Sequence, residues 1–255
     1  MVSVVDRLIY QVAVGEVPAF YADCIASVAR YAERIGADHI VQREPILRIA
    51  PLQSQRSANA LRLGYLPIYE KENAFAYLDE YDSILILDAD IYARDNAPDI
   101  FPELGTADFA GVVERNMPLT MDYQNKVSKH SVGQFDLLRD VDWQWDLRGA
   151  HYYNMGLMLI GNQFAGYLNG ETPEQFLRRP EFEDFVNRVG HYKWSTDQTL
   201  LNWWVKACGM NTRDLDWKWN ALFGAVEKHR QAYFVHFFLS AKQQPDTLAK
   251  AIAAL

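Results

Sequence analysis

Two carboxylates separated by one residue follow an unbroken aliphatic run. The sequence over residues 83–90 is SILILDAD. Four consecutive apolar residues indicate a strand that is buried on both faces, as in a parallel sheet covered by helices. Asp88 and Asp90 point the same way on an extended chain, and two like charges held together repel unless a cation lies between them. The pair predicts a divalent-metal site shared with substrate phosphates, with a solvated surface turn as the alternative.

Three later segments carry polar residues that could assist at such a site. Asn154 and Gly156 could bond a sugar hydroxyl and admit a ligand to the backbone, although an ordinary turn uses the same residues. Ser195 to Gln198 fits a capping box, and Asp197 and Gln198 could also reach the reacting carbon of a sugar. His236 could complete the ligands of a metal and Lys242 could neutralise a phosphate, unless His236 is a core residue.

Tryptophans and acids alternate in the segment Asp142–Asp146. Flat rings beside carboxylates suit a sugar, because its apolar face packs on the ring while its hydroxyls bond the acids. The segment leads towards Asn154, so we expect it to border a sugar bound there. Packing between two layers of the protein is the alternative. The candidate sugar-contacting residues are Asp142, Trp143, Trp145, His151 and Tyr152.

Composition limits the function classes. The 255 residues are 49% hydrophobic, which supports one large domain with its own core. The net charge of −8 argues against a nucleic-acid partner and against polyanionic ligands. It also means that a nucleotide diphosphate would need a cation in order to bind.

Cys24 and Cys208 match no zinc spacing and predict two buried thiols in a reducing compartment. We therefore expect the protein in the cytoplasm, at most peripheral at the inner membrane face. No segment has the length of a membrane span, and Leu8–Val14 predicts a first strand rather than a signal peptide.

The elements that would position these residues alternate between strand and helix, which predicts an α/β fold with a mostly parallel central sheet. A basic, irregular loop is expected over residues 43–62. The expected strands are Leu8–Val14, His39–Val41, 83–88, Phe109–Val113 and Leu157–Ile160, and the expected helices run from after Pro18 to Gly36 and over Leu61–Leu78, Pro173–Val189 and Thr196–Ala207.

The order of these motifs along the chain resembles glycosyltransferase family 8, the group that includes glycogenin and the lipopolysaccharide galactosyltransferases. The resemblance covers roughly residues 65–242 and rests on an ordered set of segments: 85–90, 153–156, Asp197-Gln198, Leu215 with Trp219-Asn220, and His236 with Lys242. It implies a single GT-A domain over residues 1–255, with a Rossmann-like sheet that binds a nucleotide sugar and manganese. Residues 1–115 would bind the nucleotide, and residues 116–242 the donor sugar and acceptor.

The resemblance also implies roles for individual residues. Asp88, Asp90 and His236 would ligate Mn²⁺ or Mg²⁺, and Lys242 would bind the diphosphate. A basic residue seventeen positions before Asp88 would contact the donor; this offset falls on Lys71, and Arg62 is the rival. The remaining donor residues would be Ala89, Asn154 and Gly156, with Asp197 and Gln198 as the catalytic pair.

The implied reaction moves a hexose from a nucleotide-diphosphate sugar, by default a UDP-sugar, to a hydroxyl acceptor with retention of configuration. A neutral glycan, a lipid-linked sugar or a small glycoside fits the acidic surface as acceptor. We expect the acceptor to contact Asp142, Trp143, Trp145, His151 and Tyr152, because the segment that enters Asn154 would border the donor sugar from the acceptor side. One alternative is a sugar nucleotidyltransferase, but such enzymes carry a glycine-rich basic loop after the first strand, where this chain has Gly15 alone. The other is a catalytically silent binding protein, compatible with Leu239 at the position of the family's glycine.

Overall fold

The computed structural model describes residues 6–50, 62–187, 197–238 and 245–255. The strands are β1 (Arg7–Val12), β2 (Asp38–Gln42), β3 (Ser83–Asp88), β4 (Ile91–Ala93), β5 (Phe109–Gly111), β6 (Leu157–Gly161), β7 (Thr212–Asp214), β8 (Ala221–Leu222) and β9 (Phe234–His236). The helices are α1 (Tyr21–Ile35), α2 (Met121–Phe135), α3 (Ala165–Leu168), α4 (Pro173–Leu177), α5 (Glu183–Asn187), α6 (Asp197–Ala207) and α7 (Pro245–Ala253). Short 3₁₀ segments cover Phe101–Leu104, Glu114–Asn116, Asn162–Phe164, Pro180–Phe182, Trp217–Trp219 and His229–Gln231, and a longer one covers Pro67–Tyr77.

A six-stranded sheet with the order β2-β1-β3-β6-β5-β7 forms the centre of the molecule. Neighbouring strands are parallel except where β6 pairs with β3 and with β5. The prediction of an α/β fold with a mostly parallel sheet is therefore confirmed.

Alternate residues of β3 supply the two layers of the core. Ile84 and Ile86 pack into one layer, and Leu85 and Leu87 into the other. Because the side chains of a strand alternate between faces, an unbroken aliphatic run is what a strand covered on both sides requires. Helix α1 covers the Leu85 side, while α4 and α6 cover the Ile84 side. As predicted, α1 ends at Gly36, which takes a left-handed conformation with φ of 67°.

A second, three-stranded sheet has the order β4-β9-β8. Strand β4 begins directly after Asp90, so the two aspartates lie where the chain passes from the first sheet to the second. In the antiparallel pairing of β4 with β9, Ile91 lies opposite His236, and Phe237 donates its backbone N–H to the carbonyl of Asp90. The second sheet therefore brings His236 beside the aspartates.

Two of the expected helices differ from the structure. Pro173–Val189 was expected as one helix, which is wrong: α4 ends at Leu177, and α5 begins only after the turn at Pro180–Phe182. Pro180 lacks a backbone N–H and restricts the residue before it, so a continuous helix is interrupted there. The expected helix over Leu61–Leu78 is a 3₁₀ segment that starts at Pro67. Residue 61 and most of the expected basic loop lie outside the described residues.

The two cysteines differ in exposure. Cys24 is buried in the core as predicted, whereas Cys208 is exposed, so the expectation of two buried thiols is wrong for Cys208. It follows the end of α6, where the chain turns towards β7 at the surface. Among the described residues, no helix is long and apolar enough to cross a membrane.

Candidate active site

The structure brings Asp88, Asp90 and His236 together at the junction of the two sheets. Nε2 of His236 lies 3.2 Å from Oδ1 of Asp90 and 3.7 Å from Oδ2 of Asp88. One donor atom from each residue lies within 4.8 Å of the other two, a spacing that one cation can bridge. His236 and Asp90 are buried, while Asp88 remains partly open to solvent. Two carboxylates and an imidazole suit Mn²⁺ or Mg²⁺ bound jointly with phosphate oxygens.

Charge at this cluster favours a cation. Burial alone would lower the pKa of His236, but the carboxylates of Asp90 and Asp88 outweigh burial and raise it. The position between the aspartates thus stabilises positive charge, which is the electrostatic requirement of a metal site.

The side chain of Lys71 links Asp88 to helix α6. Its ammonium donates to Oδ1 of Asp88 at 3.1 Å and to the carbonyl of Met155 at 2.7 Å, and it forms an ion pair with Oδ2 of Asp197 at 2.5 Å. Burial works to lower the pKa of Lys71, yet Asp197 and Asp88 raise it overall. Lys71 is therefore a buried ammonium held between two carboxylates and a backbone carbonyl.

Asp197 and Gln198 occupy the first turn of α6, which is fixed to the segment before β6. Asn202, one turn later, donates to the carbonyls of Tyr153 and Gln198 and accepts from the N–H of Tyr153. Oε1 of Gln198 accepts from the N–H of Met155 at 3.3 Å. Burial raises the pKa of Asp197, and Lys71 offsets part of that effect. Ser195 and Thr196, the rest of the expected capping box, lie outside the described residues.

Gly156 lies against the imidazole of His236. A Cβ at this position would be 2.8 Å from Nδ1 of His236 and closer still to Cε1. The sequence predicts close approach at Gly156 by a ligand; the structure shows close approach by a metal-ligand candidate of the chain itself. Asn154 beside it is buried, and its side-chain oxygen accepts the N–H of Gly156 at 3.1 Å.

Two buried glutamates near the site were missed by the sequence analysis. Glu72 is fully buried, and neither carboxylate oxygen has a hydrogen-bond partner in the described part of the chain. Burial, and then Asp197, raise the pKa of Glu72 well above its usual range. Glu114 is also buried, and burial raises its pKa although Asn154 donates to it. Only the position of Glu72 next to Lys71 could have signalled it, and no motif in the sequence marks Glu114.

A cavity of about 670 Å³ opens over the cluster. Lys71, Asp197, Gln198 and Asn154 line it together with the three metal-ligand candidates. The α2 residues on the cavity wall are Tyr123, Lys126, Val127 and His130. A smaller cavity of about 170 Å³ shares Lys71, Asp88, Asp90 and Asp197 with the first and adds Ala89 and Tyr21.

Arg62 is not among the described residues that line either cavity. It lies 3.6 Å from the exposed carboxylate of Glu16, so of the two rivals Lys71 is the one on the cavity walls. Lys242 lies outside the described residues.

The predicted acceptor residues are not among the described residues that line the large cavity. The ring of Trp143 packs on Phe135 at 4.3 Å between centroids and donates Nε1–H to the carbonyl of Leu138. Tyr152 is fully buried, and His151 lies 3.0 Å from Asp214. The buried rings pack on the end of α2, because removing their apolar surface from water stabilises the fold more than leaving it exposed at the edge of the cavity would. Asp142 and Trp145 are exposed, away from the described walls of the cavity.

The sequence matches no family model and no curated protein. Three solved structures share the fold across nearly the whole chain. A glycosyltransferase involved in glycosylation of the major capsid of PBCV-1 has a TM-score of 0.51 and 12% identity, over 98% of this chain and 100% of its own. Mouse xyloside xylosyltransferase 1 has a TM-score of 0.54 and 15% identity, over 93% and 99%. An active-site mutant of LgtC has a TM-score of 0.52 and 12% identity, over 97% and 95%. At the level of the fold, the chain is thus a GT-A-type protein, consistent with its resemblance to glycosyltransferase family 8.

Proposed function

We propose that this protein is a metal-dependent glycosyltransferase that moves a hexose from a nucleotide-diphosphate sugar, with a UDP-sugar as the first candidate, to a hydroxyl acceptor. The observation that carries the proposal is the convergence of Asp88, Asp90 and His236 at one end of a cavity large enough for a sugar ligand. The GT-A fold of the structural neighbours supports glycosyl transfer rather than another chemistry of α/β proteins.

The charges of the cavity explain why a cation would be needed. Asp88, Asp90 and Asp197 line it, and the ammonium of Lys71 is already paired with two of them. A diphosphate would meet net negative charge on its own. Bound Mn²⁺ or Mg²⁺ supplies the positive charge that stabilises the leaving diphosphate as the glycosidic bond breaks. We propose that Lys242 adds a second positive charge at the phosphates.

On the sugar side, we propose that Asp197 and Gln198 stabilise the positive charge that develops at the anomeric carbon. Lys71 holds the carboxylate of Asp197 in place, and the contact with Met155 orients Gln198. Fixed dipoles and charges of this kind need no reorganisation during the reaction. We propose retention of configuration on the resemblance to family 8.

The acceptor would approach along the α2 wall of the large cavity. Tyr123 and Lys126 lie there, with the Nζ of Lys126 5.8 Å from the centre of the tyrosine ring. An aromatic face beside polar groups suits a neutral glycan, a lipid-linked sugar or a small glycoside.

Lys126→Ala should raise the KM for the acceptor and leave donor hydrolysis unchanged. Lys129→Ala, also exposed on α2 but off the cavity wall, is the matched control; equal effects of both variants on transfer would remove α2 from the acceptor site.

The deciding experiment is incubation with a panel of nucleotide sugars, with manganese or with a chelator, and detection of the released nucleoside diphosphate. We expect manganese-dependent transfer or slow hydrolysis from at least one donor. Asp90→Asn should abolish it, whereas Asp95→Asn, at an exposed carboxylate, should not. Pyrophosphate release from a nucleoside triphosphate and a sugar phosphate would instead identify a nucleotidyltransferase. Nucleotide binding without turnover would identify a silent binding protein.

We also propose that residues 1–255 work as one domain in the cytoplasm. Strand β6 comes from the half assigned to the sugar and acceptor, yet it lies between β3 and β5 of the nucleotide half. Both halves therefore contribute to one sheet. Cys24 and Cys208 are free thiols, as a reducing compartment would keep them.

A further inference from the structure

The second nitrogen of His236 faces a buried amide. Nδ1 of His236 lies 3.0 Å from Oδ1 of Asn220. Asn220 directly precedes β8, and the parallel pairing of β8 with β9 places Leu222 opposite His236. The second sheet thus fixes Asn220 beside the imidazole, on the side away from the aspartates.

The contact continues as a chain of hydrogen bonds through the interior. Nδ2 of Asn220 donates to Oδ1 of Asn154 at 2.9 Å, and Nδ2 of Asn154 donates to Oε2 of Glu114 at 2.9 Å. The exposed fraction of each of the four side chains is 8% or less. Little of these residues is open to solvent, although Glu114, Asn154 and His236 border the large cavity. Each amide therefore depends mainly on its neighbours for hydrogen bonds.

The backbone N–H of Gly156 sets the direction of the hydrogen bonds, because it can only donate and lies 3.1 Å from Oδ1 of Asn154. Asn154 therefore presents Oδ1 to Gly156 and to Asn220, and its Nδ2 donates to Oε2 of Glu114. Asn220 must then donate to Asn154 and accept from Nδ1–H of His236.

We infer that Glu114 is a positioning residue for the candidate metal centre: through Asn154 and Asn220 it holds His236 with the proton on Nδ1 and the Nε2 lone pair towards Asp88 and Asp90. An imidazole binds a metal through its unprotonated nitrogen, so the partner of the other nitrogen selects the binding tautomer. The inference rests on the metal site of the proposed function. It also gives Asn154 a structural role besides the contact with the donor that the resemblance to family 8 implies.

The test compares Glu114→Met, which removes the terminal acceptor, with Glu114→Gln, which keeps an acceptor oxygen. Gln134→Met is the matched control, because Gln134 is equally buried and bonds Thr199 outside this chain. Two properties are measured: the tautomer of His236 from its nitrogen chemical shifts, in metal-free protein at a pH that leaves the ring neutral, and the dissociation constant for Mn²⁺ alone. Neither measurement requires transfer activity.

We expect the Nδ1–H tautomer in the wild type and in Glu114→Gln, and a mixture of tautomers in Glu114→Met. Glu114→Met should bind Mn²⁺ about 10–100-fold more weakly, the usual cost of losing such a partner, while Gln134→Met should match the wild type. A folded Glu114→Met with wild-type tautomer and affinity would overturn the inference. So would an Nε2–H tautomer in the wild type, a result that holds even if the variant fails to fold. If the tautomer is as expected but no donor is turned over, the proposed function fails and the positioning role stands.

Discussion

At the scale of single residues, the missing side chain at Gly156 lets His236 face the two aspartates. In Gly156→Ala the added Cβ would overlap the imidazole, and the ring would have to move away from Asp90. We expect Mn²⁺ affinity to fall about tenfold or more, measured by calorimetry on the protein without nucleotide.

Gly133→Ala is the control for this substitution. Gly133 lies within α2, and a Cβ there would meet nothing within 4 Å. It should stabilise the protein by about 0.5–1 kcal/mol and leave Mn²⁺ binding unchanged. If Gly156→Ala binds Mn²⁺ as the wild type does, the geometry of His236 described above is incorrect.

His130 on α2 predicts a component of acid sensitivity. Burial lowers the pKa of His130 to about 4, from an ordinary value near 6.5 in the unfolded chain. Between these two values the unfolded state binds more protons than the folded state. The free energy of unfolding should therefore fall as the pH drops from about 6.5 to about 4, by up to about 3 kcal/mol from this group.

The measurement is urea unfolding at several pH values for the wild type and for His130→Gln. Other groups contribute to both profiles, so the difference between the two profiles isolates His130. The variant should lose less stability over this window. Parallel profiles would show that folding leaves the pKa of His130 unchanged, and would contradict the prediction.

At the scale of elements, the segment between α2 and β6 contains two tryptophans that differ in burial. Trp143 is buried on Phe135, whereas 44% of Trp145 is exposed. Trp143→Ala should lower the free energy of unfolding by about 3–5 kcal/mol, and Trp145→Ala should change it by no more than about 0.5 kcal/mol. Chemical denaturation of both variants checks this pair. A small effect at Trp143 would mean that its ring is not part of the core.

The elements differ in how well the sequence predicts them. Strand β3 was predictable because four consecutive aliphatic residues leave few alternatives, and α1 because its apolar spacing ends at a glycine. Strands β4, β8 and β9 are two or three residues long, too short for a period to show. The second sheet exists through pairing between distant segments, which no local pattern encodes. For the same reason the spacing of Trp143 and Trp145 could not reveal which ring packs inward.

At the scale of the whole molecule, ligand binding should appear as global stabilisation. A ligand that binds only the folded state adds about 2.7 kcal/mol at a hundredfold excess over its dissociation constant. We expect one of UDP, GDP and CMP to raise the melting temperature, and manganese to increase that effect. Asp90→Asn should remove the manganese-dependent part. An unchanged manganese effect in this variant would remove Asp90 from the metal site.

The candidate site was predictable in its motifs and not in its connections. Asp88 and Asp90 stand out because charge follows directly on a buried strand, and His236 because it closes an apolar run. The ordered set of segments also made the fold recognisable. Glu114 and Glu72 carry no such mark, since their environment is created by chain segments far away in sequence. Burial and partners are tertiary properties, so they appeared only in the structure.

The register that places Ile91 opposite His236 also has a consequence for the order of folding. More than half of the chain separates Asp90 from His236. Closing so long a loop is slow and entropically costly, so contacts of this kind form late. A nascent chain could complete β1, β2 and β3 and still hold only two of the three candidate ligands. Tight cation capture by the candidate site would then begin only when β9 docks, which would keep a partly folded chain from sequestering metal.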